Sequence, residues 1–169
     1  GGGVAGQEGD NEQIINLPGD QSSMSVFGRY IAFLDDDGNI KVYDSGDTID
    51  ESDDIGVIAL TNDGSQRIYS DPVIDKMDGR FIVWFEHLGR RDDSQSYIMV
   101  KDLGEDRILG TRDDQAVREF NILTEFGIEN EYVGIRNPSL FGGRLVFDAL
   151  DQILFDRDVL LFDIIREEF

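Results

Sequence analysis

The densest chemistry in the sequence is carboxylate. The stretch Asp102-Leu103-Gly104-Glu105-Asp106-Arg107-Ile108-Leu109-Gly110-Thr111-Arg112-Asp113-Asp114 sets acids at short intervals in a glycine-turned loop. Oxygens so spaced suit Ca2+, a hard cation that takes about six to eight oxygen ligands in loose geometry. Asp102, Asp106, Asp113 and Asp114 are the expected ligands, with backbone carbonyls filling the remaining places. An earlier stretch, residues 44–54, carries a reduced version with Asp44, Asp47, Asp53 and Asp54 as a second set. Asp is also a common turn residue, because its side chain bonds nearby backbone N–H groups. Neither stretch follows the EF-hand spacing. Asp35-Asp36-Asp37-Gly38-Asn39 and Asp156-Arg157-Asp158 read as plain hairpin turns.

Other catalytic chemistry is sparse. His87 is the one histidine, which excludes a multi-histidine zinc site, and it reads as a hydrogen-bonding loop residue. No G-x-S-x-G elbow accompanies it. The absence of cysteine excludes disulfides, thiolate metal sites and thiol catalysis. Acids are too many for any pair to mark glycoside chemistry. No catalytic residue is assigned, and the chain reads as a non-enzyme. With 36 acidic and 15 Lys or Arg residues the net charge is -21, so a nucleic acid would be repelled. The same self-repulsion calls for screening by salt, multivalent cations or basic partners. No apolar run reaches the ~18 residues of a membrane span.

The elements that hold these residues read as strands. Short apolar runs alternate with Gly, Asp, Asn and Ser clusters, and helical periodicity is almost absent. The pattern repeats. Gly28-Arg29-Tyr30-Ile31-Ala32-Phe33 returns as Gly79-Arg80-Phe81-Ile82-Val83-Trp84 and as Gly143-Arg144-Leu145-Val146-Phe147. Each copy is preceded by a short run, at Met24–Phe27, Pro72–Asp75 and Pro138–Phe141, and followed by another, at Ile40–Asp44, Ile98–Asp102 and Val159–Asp163. A fourth run, at residues 56–61 and 116–121, follows the first two copies only. An orphan run at 12–18 precedes the first copy, so the repeat is permuted into units of about 12–55, 56–115 and 116–169. Residues 1–11 form a flexible Gly-rich lead. The start at Gly1 reads as a processed or trimmed end. The recurring Arg29, Arg80 and Arg144 are expected to bond carboxylates of a neighbouring unit. Phe33, Trp84 and Phe147 are expected in the core between sheets.

Ile82-Val83-Trp84-Phe85-Glu86 and Tyr97-Ile98-Met99-Val100-Lys101-Asp102-Leu103 resemble the repeat of TolB-like β-propeller proteins of bacterial and archaeal cell surfaces. The loop 102–114 also looks like an acidic insert of such propellers. The resemblance implies an all-β fold of three four-stranded antiparallel propeller-type blades, used for binding or display. Three units are fewer than the ~4–8 blades of closed propellers. The N-terminal strand is therefore expected to complete the last blade of the same or a neighbouring chain, giving an oligomer or filament by strand complementation. The function expected is a Ca2+-stabilised, self-assembling, extracellular structural protein whose signal peptide has been removed. The alternatives are a carbohydrate- or protein-binding module of a longer surface protein, and then a hydrolase.

Overall fold

A computed structural model of the chain describes residues 20–46, 56–64, 67–88, 95–121, 132–151, 154 and 156–169. The expected strand at 12–18 lies outside them. The described residues contain no helix, and so none long and apolar enough to cross a membrane.

Eleven strands form three antiparallel sheets. The first sheet runs β1 (Ser22–Phe27), β2 (Tyr30–Leu34), β3 (Ile40–Asp44), β4 (Gly56–Ala59). The second runs β5 (Ile68–Ile74), β6 (Phe81–Leu88), β7 (Gln95–Asp102), β8 (Arg118–Asn121). The third has three described strands, β9 (Tyr132–Phe141), β10 (Arg144–Asp151) and β11 (Arg157–Asp163). Neighbouring strands in each sheet are consecutive in sequence.

The middle sheet is covered on both faces. Side chains alternate between the faces of a strand, and antiparallel partners share a face. One face of β6 and β7, with Ile82, Trp84 and Met99, packs on Tyr30, Ala32, Ile40 and Val42 of the first sheet. The other face, with Phe81, Val83, Phe85, Ile98 and Val100, packs on Leu145, Phe147, Ala149 and Phe162 of the third. Double coverage explains why residues 81–86 are uniformly apolar or buried rather than alternating. Phe85 meets Phe147 edge-on with centroids 5.6 Å apart, and Phe120 meets Phe162 at 5.1 Å. Phe33, Trp84 and Phe147 are all buried, and Trp84 and Phe147 lie in the cores between sheets as the repeat predicts.

The third copy departs from its sequence alignment by one residue. Tyr30 pairs with Asp44 and Phe81 with Asp102, but it is Arg144 itself that pairs with Asp163. The turn before β10 is Gly142-Gly143, with φ of 59° and 73°, whereas Gly28-Arg29 has positive φ only at Gly28. A turn with positive φ at both central residues favours pairs such as Gly-Gly. Arg144 is thereby displaced onto the strand, and Gly143 stands where Arg29 does. Phe33, Trp84 and Phe147 stay equivalent, each three residues beyond the first paired residue.

Candidate functional site

The loop 102–114 is built around its own carboxylates. Asp102 is buried, and its two oxygens accept Arg80 Nε at 2.9 Å and Arg80 Nη2 at 3.0 Å, with the Gly104 amide also on Oδ1 at 3.0 Å. Burial pushes the Asp102 carboxyl up, but the Arg80 fork and the Gly104 amide outweigh it and hold it below the ordinary range. Asp113 Oδ2 accepts the amides of Glu105 at 2.9 Å and Asp106 at 3.2 Å, and its Oδ1 accepts the Thr111 hydroxyl at 2.7 Å. The hydroxyl first, and the amides with it, lower that carboxyl to about 2. Asp106 Oδ1 accepts the Ile108 amide at 2.9 Å, and Asp114 Oδ2 takes the Gly110 amide at 2.9 Å and Lys101 Nζ at 3.0 Å. Gly104, at φ +77°, is required here, because a Cβ would stand 2.3 Å from Asp113 Oδ2.

These four aspartates therefore do not form one donor set. Asp102 and Asp114 already face cationic side chains, and Asp106 and Asp113 staple the backbone. Of these four aspartates, Asp114 alone has a carboxylate oxygen, Oδ1, buried without a hydrogen-bond partner. Their carboxylates thus hold the loop's own backbone and its neighbouring cations. What the loop does is lock two sheets together. Leu103 and Leu109 are buried between them, and the Tyr30 hydroxyl donates to the Arg107 carbonyl and accepts the Leu109 amide, both at 3.0 Å. Tyr30 was not picked out by sequence spacing, since a tyrosine heading a strand looks like any other apolar start.

Of the second expected set, Asp47, Asp53 and Asp54 lie outside the described residues. Asp44 is fully buried, and its Oδ1 accepts Arg29 Nε at 2.5 Å and the Gly46 amide at 3.0 Å. Arg29–Asp44 and Arg80–Asp102 are the same pair in successive copies. Both lie within one sheet, not between neighbouring units as the sequence suggests, because the register sets the two residues across adjacent strands. The displaced Arg144 keeps only a 4.0 Å approach to Asp163. The acidic turns do gather: Asp35, Asp36 and Asp37, and Asp156 and Asp158 joined by Asp151, each group with ligand atoms within 4.8 Å of one another. Asp35 is turned to the Asn39 amide at 2.8 Å and to Lys41 Nζ at 2.5 Å.

A further concavity joins all three sheets. β1, β5 and β9 lie side by side. Each carries an irregularity in register, with a non-glycine residue at positive φ: Ser23 at 50°, Asp71 at 51°, Asn137 at 56°. Bulges re-aim side chains and concentrate beside functional sites. Here they border a cleft of about 230 Å³ lined by Ser23, Ser25, Asp71, Lys76, Val73 and Pro138 among others. The Ile74 amide donates to Ser25 Oγ at 3.1 Å across the first and second sheets. The motif is readable in hindsight at Asp71-Pro72 and Asn137-Pro138, since Asp and Asn adopt this conformation most readily among non-glycine residues. Ser23-Met24 gives no such signal.

His87 lies on β6 itself rather than in a following loop. Its Nε2 is 3.3 Å from Ser70 Oγ and its Nδ1 3.1 Å from Ser96 Oγ. Burial pushes its pKa below 6.5, against a smaller pull from Asp71. Both ring nitrogens are taken by hydroxyls, so no carboxylate orients the ring as a triad requires. Glu86, beside it, is buried and raised by burial, and pairs with Arg67.

Comparison with family models, characterised proteins and solved structures finds no match to this chain.

Proposed function

We propose that the chain is a non-enzymatic structural module of the β-propeller type, which self-assembles at a cell surface. One observation carries this reading. Three sheets stack face to face through equivalent rows, with β1, β5 and β9 side by side, as blades do around an axis. The cell-surface setting rests on the sequence resemblance to TolB-like repeats. Two chemical features support a non-catalytic role: the loop carboxylates are spent on backbone amides and Arg80, and His87 sits between two serines.

Assembly proceeds by strand addition. The strands equivalent to β11, β3 and β7, are flanked by β4 and β8, while β11 has no further strand beyond it among the described residues. Such an edge pairs readily with another strand. The strand expected at 12–18 is the donor in this proposal. Analytical ultracentrifugation and electron microscopy test it: the intact chain forms oligomers or fibres, and deletion of residues 1–18 leaves monomers. A monodisperse monomer, unchanged by the deletion, would sink the idea. Ca2+ enters the proposal through the Asp35–Asp37 and Asp151/Asp156/Asp158 groups, where carboxylates approach closely.

The bulge cleft favours a second reading, a binding module for carbohydrate or peptide. Hydroxyls of Ser23 and Ser25 with Asp71 and Lys76 offer donors and acceptors of the kind such ligands use. Titration with oligosaccharides, followed by amide shifts at Ser23, Asp71 and Lys76, tests it. Unmoved resonances reject it.

A further inference from the structure

The first-to-second and second-to-third sheet contacts are one contact made twice. In register, Ser25, Ala32 and Val42 correspond to Val73, Val83 and Val100, and then to Ser139, Val146 and Leu161. This row faces the following sheet. In the first two sheets its β2/β3 and β6/β7 members are fully buried, yet Val146 is 37% exposed and Leu161 50%. The row facing the preceding sheet opens in mirror fashion along its inner strand. Ile74 and Leu140 are fully buried, but their first-sheet counterpart Val26 is 60% exposed, whereas farther across that face Ile31 is half-buried and Phe33 fully buried.

A knob and its hole are left open in the same way. Phe27 packs on Gly79, its ring 3.0 Å from where a Cβ would stand. The counterpart of Phe27 is Phe141, 62% exposed. The counterpart of Gly79 is Gly28, and no described atom lies within 4 Å of its would-be Cβ. One end of the stack thus carries an unused knob and the other an unused hole, both continuing an interface the chain already makes internally.

The geometry points to a second copy of this chain as the occupant: β9 of the third sheet docks along β1 of the first sheet of another molecule, with Phe141 over the Gly28 turn. This inference rests on the proposed self-assembly and adds its face and direction. The contact is head to tail, so it propagates into a ring or a fibre according to whether the rotation closes.

The absence of cysteine in the chain allows a clean test. Internally the Ile74 amide meets Ser25 Oγ at 3.1 Å, and the counterparts across the docked interface are Val26 and Ser139. Ser139→Cys and Val26→Cys are made separately at these exposed positions and mixed under mild oxidant. Disulfide-linked dimers are expected from the mixture and at least tenfold fewer from either variant alone. Adding Phe141→Glu to the Ser139→Cys chain is expected to cut the cross-link at least tenfold. Sedimentation of the unaltered chain is read alongside. Oligomers with no mixed cross-link, or with Ser139→Cys linking only to itself, overturn the docking face and leave self-assembly standing. A monomer at every concentration overturns the self-assembly reading itself.

Discussion

Asp75 should be the most damaging single carboxylate to remove, although it touches no expected metal or catalytic group. It is fully buried at the end of β5, and it ties the second sheet to the third. Its Oδ1 accepts the Gly142 amide at 2.8 Å and the Met77 amide at 2.9 Å, and its Oδ2 accepts the Gly143 amide at 2.7 Å. In Asp75→Ala the buried Gly143 amide loses its partner, a cost of ~1–3 kcal/mol, and the two part-buried amides lose ~0.5–1.5 kcal/mol each because water can reach them. The sum is about 2–6 kcal/mol. With a urea m-value of about 2 kcal/mol/M, the midpoint falls by ~1–3 M at constant m. Asp75→Asn keeps one acceptor oxygen but turns an NH2 toward an amide donor, so it should recover about half of that loss. Urea unfolding followed by Trp84 fluorescence measures both. A midpoint shift below ~0.5 M for Asp75→Ala would refute the reasoning, since a loss near 1 kcal/mol would mean water satisfies all three amides.

The shifted register of the third copy makes a second forecast. Arg29→Ala leaves Asp44 buried and unpaired and should cost ~3–5 kcal/mol, while Arg144→Ala at an exposed site should cost below ~1 kcal/mol; equal losses by urea titration would contradict the register. His87 gives a pH dependence: its folded pKa is below 6.5, so the unfolded chain binds the proton first and stability falls as pH drops through the 6.5 region. His87→Gln should flatten that first step, and a profile unchanged by the substitution counts against it. Asp113, at about 2 against an ordinary 3.8, contributes stability that is complete above pH ~4 and lost between there and about 2, so Asp113→Asn should abolish part of the acid step in that window. If Ca2+ occupies the acidic turns, chelator lowers the melting temperature and added Ca2+ restores it, and Asp156→Asn with Asp158→Asn weakens the response; an unchanged melting temperature rejects a structural ion.

The strands were legible because their signals are local. Apolar runs with glycine turns mark β2, β6 and β10, and the three aromatics Phe33, Trp84 and Phe147 keep one place through a shift in the neighbouring turn. The shift itself was not legible. Gly-Arg in the third copy matches the other two letter for letter, and only the φ of Gly143 reveals that both glycines are consumed by the turn. The acidic loop was found, but the partners its carboxylates take were not legible, for a definite reason. Spacing shows how many carboxylates a loop holds, whereas the partners of Asp102 and Asp114 come from Arg80 in the turn before β6 and Lys101 on β7. Those partners depend on strand register, which a loop motif does not contain.

The bulges extend this point to the inner strands. Ser23, Asp71 and Asn137 share a conformation that costs a non-glycine residue on the order of 1–2 kcal/mol, yet they share no side chain. What recurs is therefore the backbone break and not a binding residue. A break at the same place in three adjacent strands lets each strand pair with its own sheet on one side of the bulge and then approach its neighbour on the other. The amide of Ile74 reaching Ser25, the Lys76 amide reaching the Leu140 carbonyl at 3.2 Å, and Asp75 reaching Gly142 and Gly143 all lie beyond a break. The inter-sheet bonds thus use the same short segment after each bulge. In the third sheet that segment is Ser139–Phe141. There Phe141 projects 62% exposed, with no following sheet among the described residues to receive it. That is where a fourth sheet would have to attach if the stack continues.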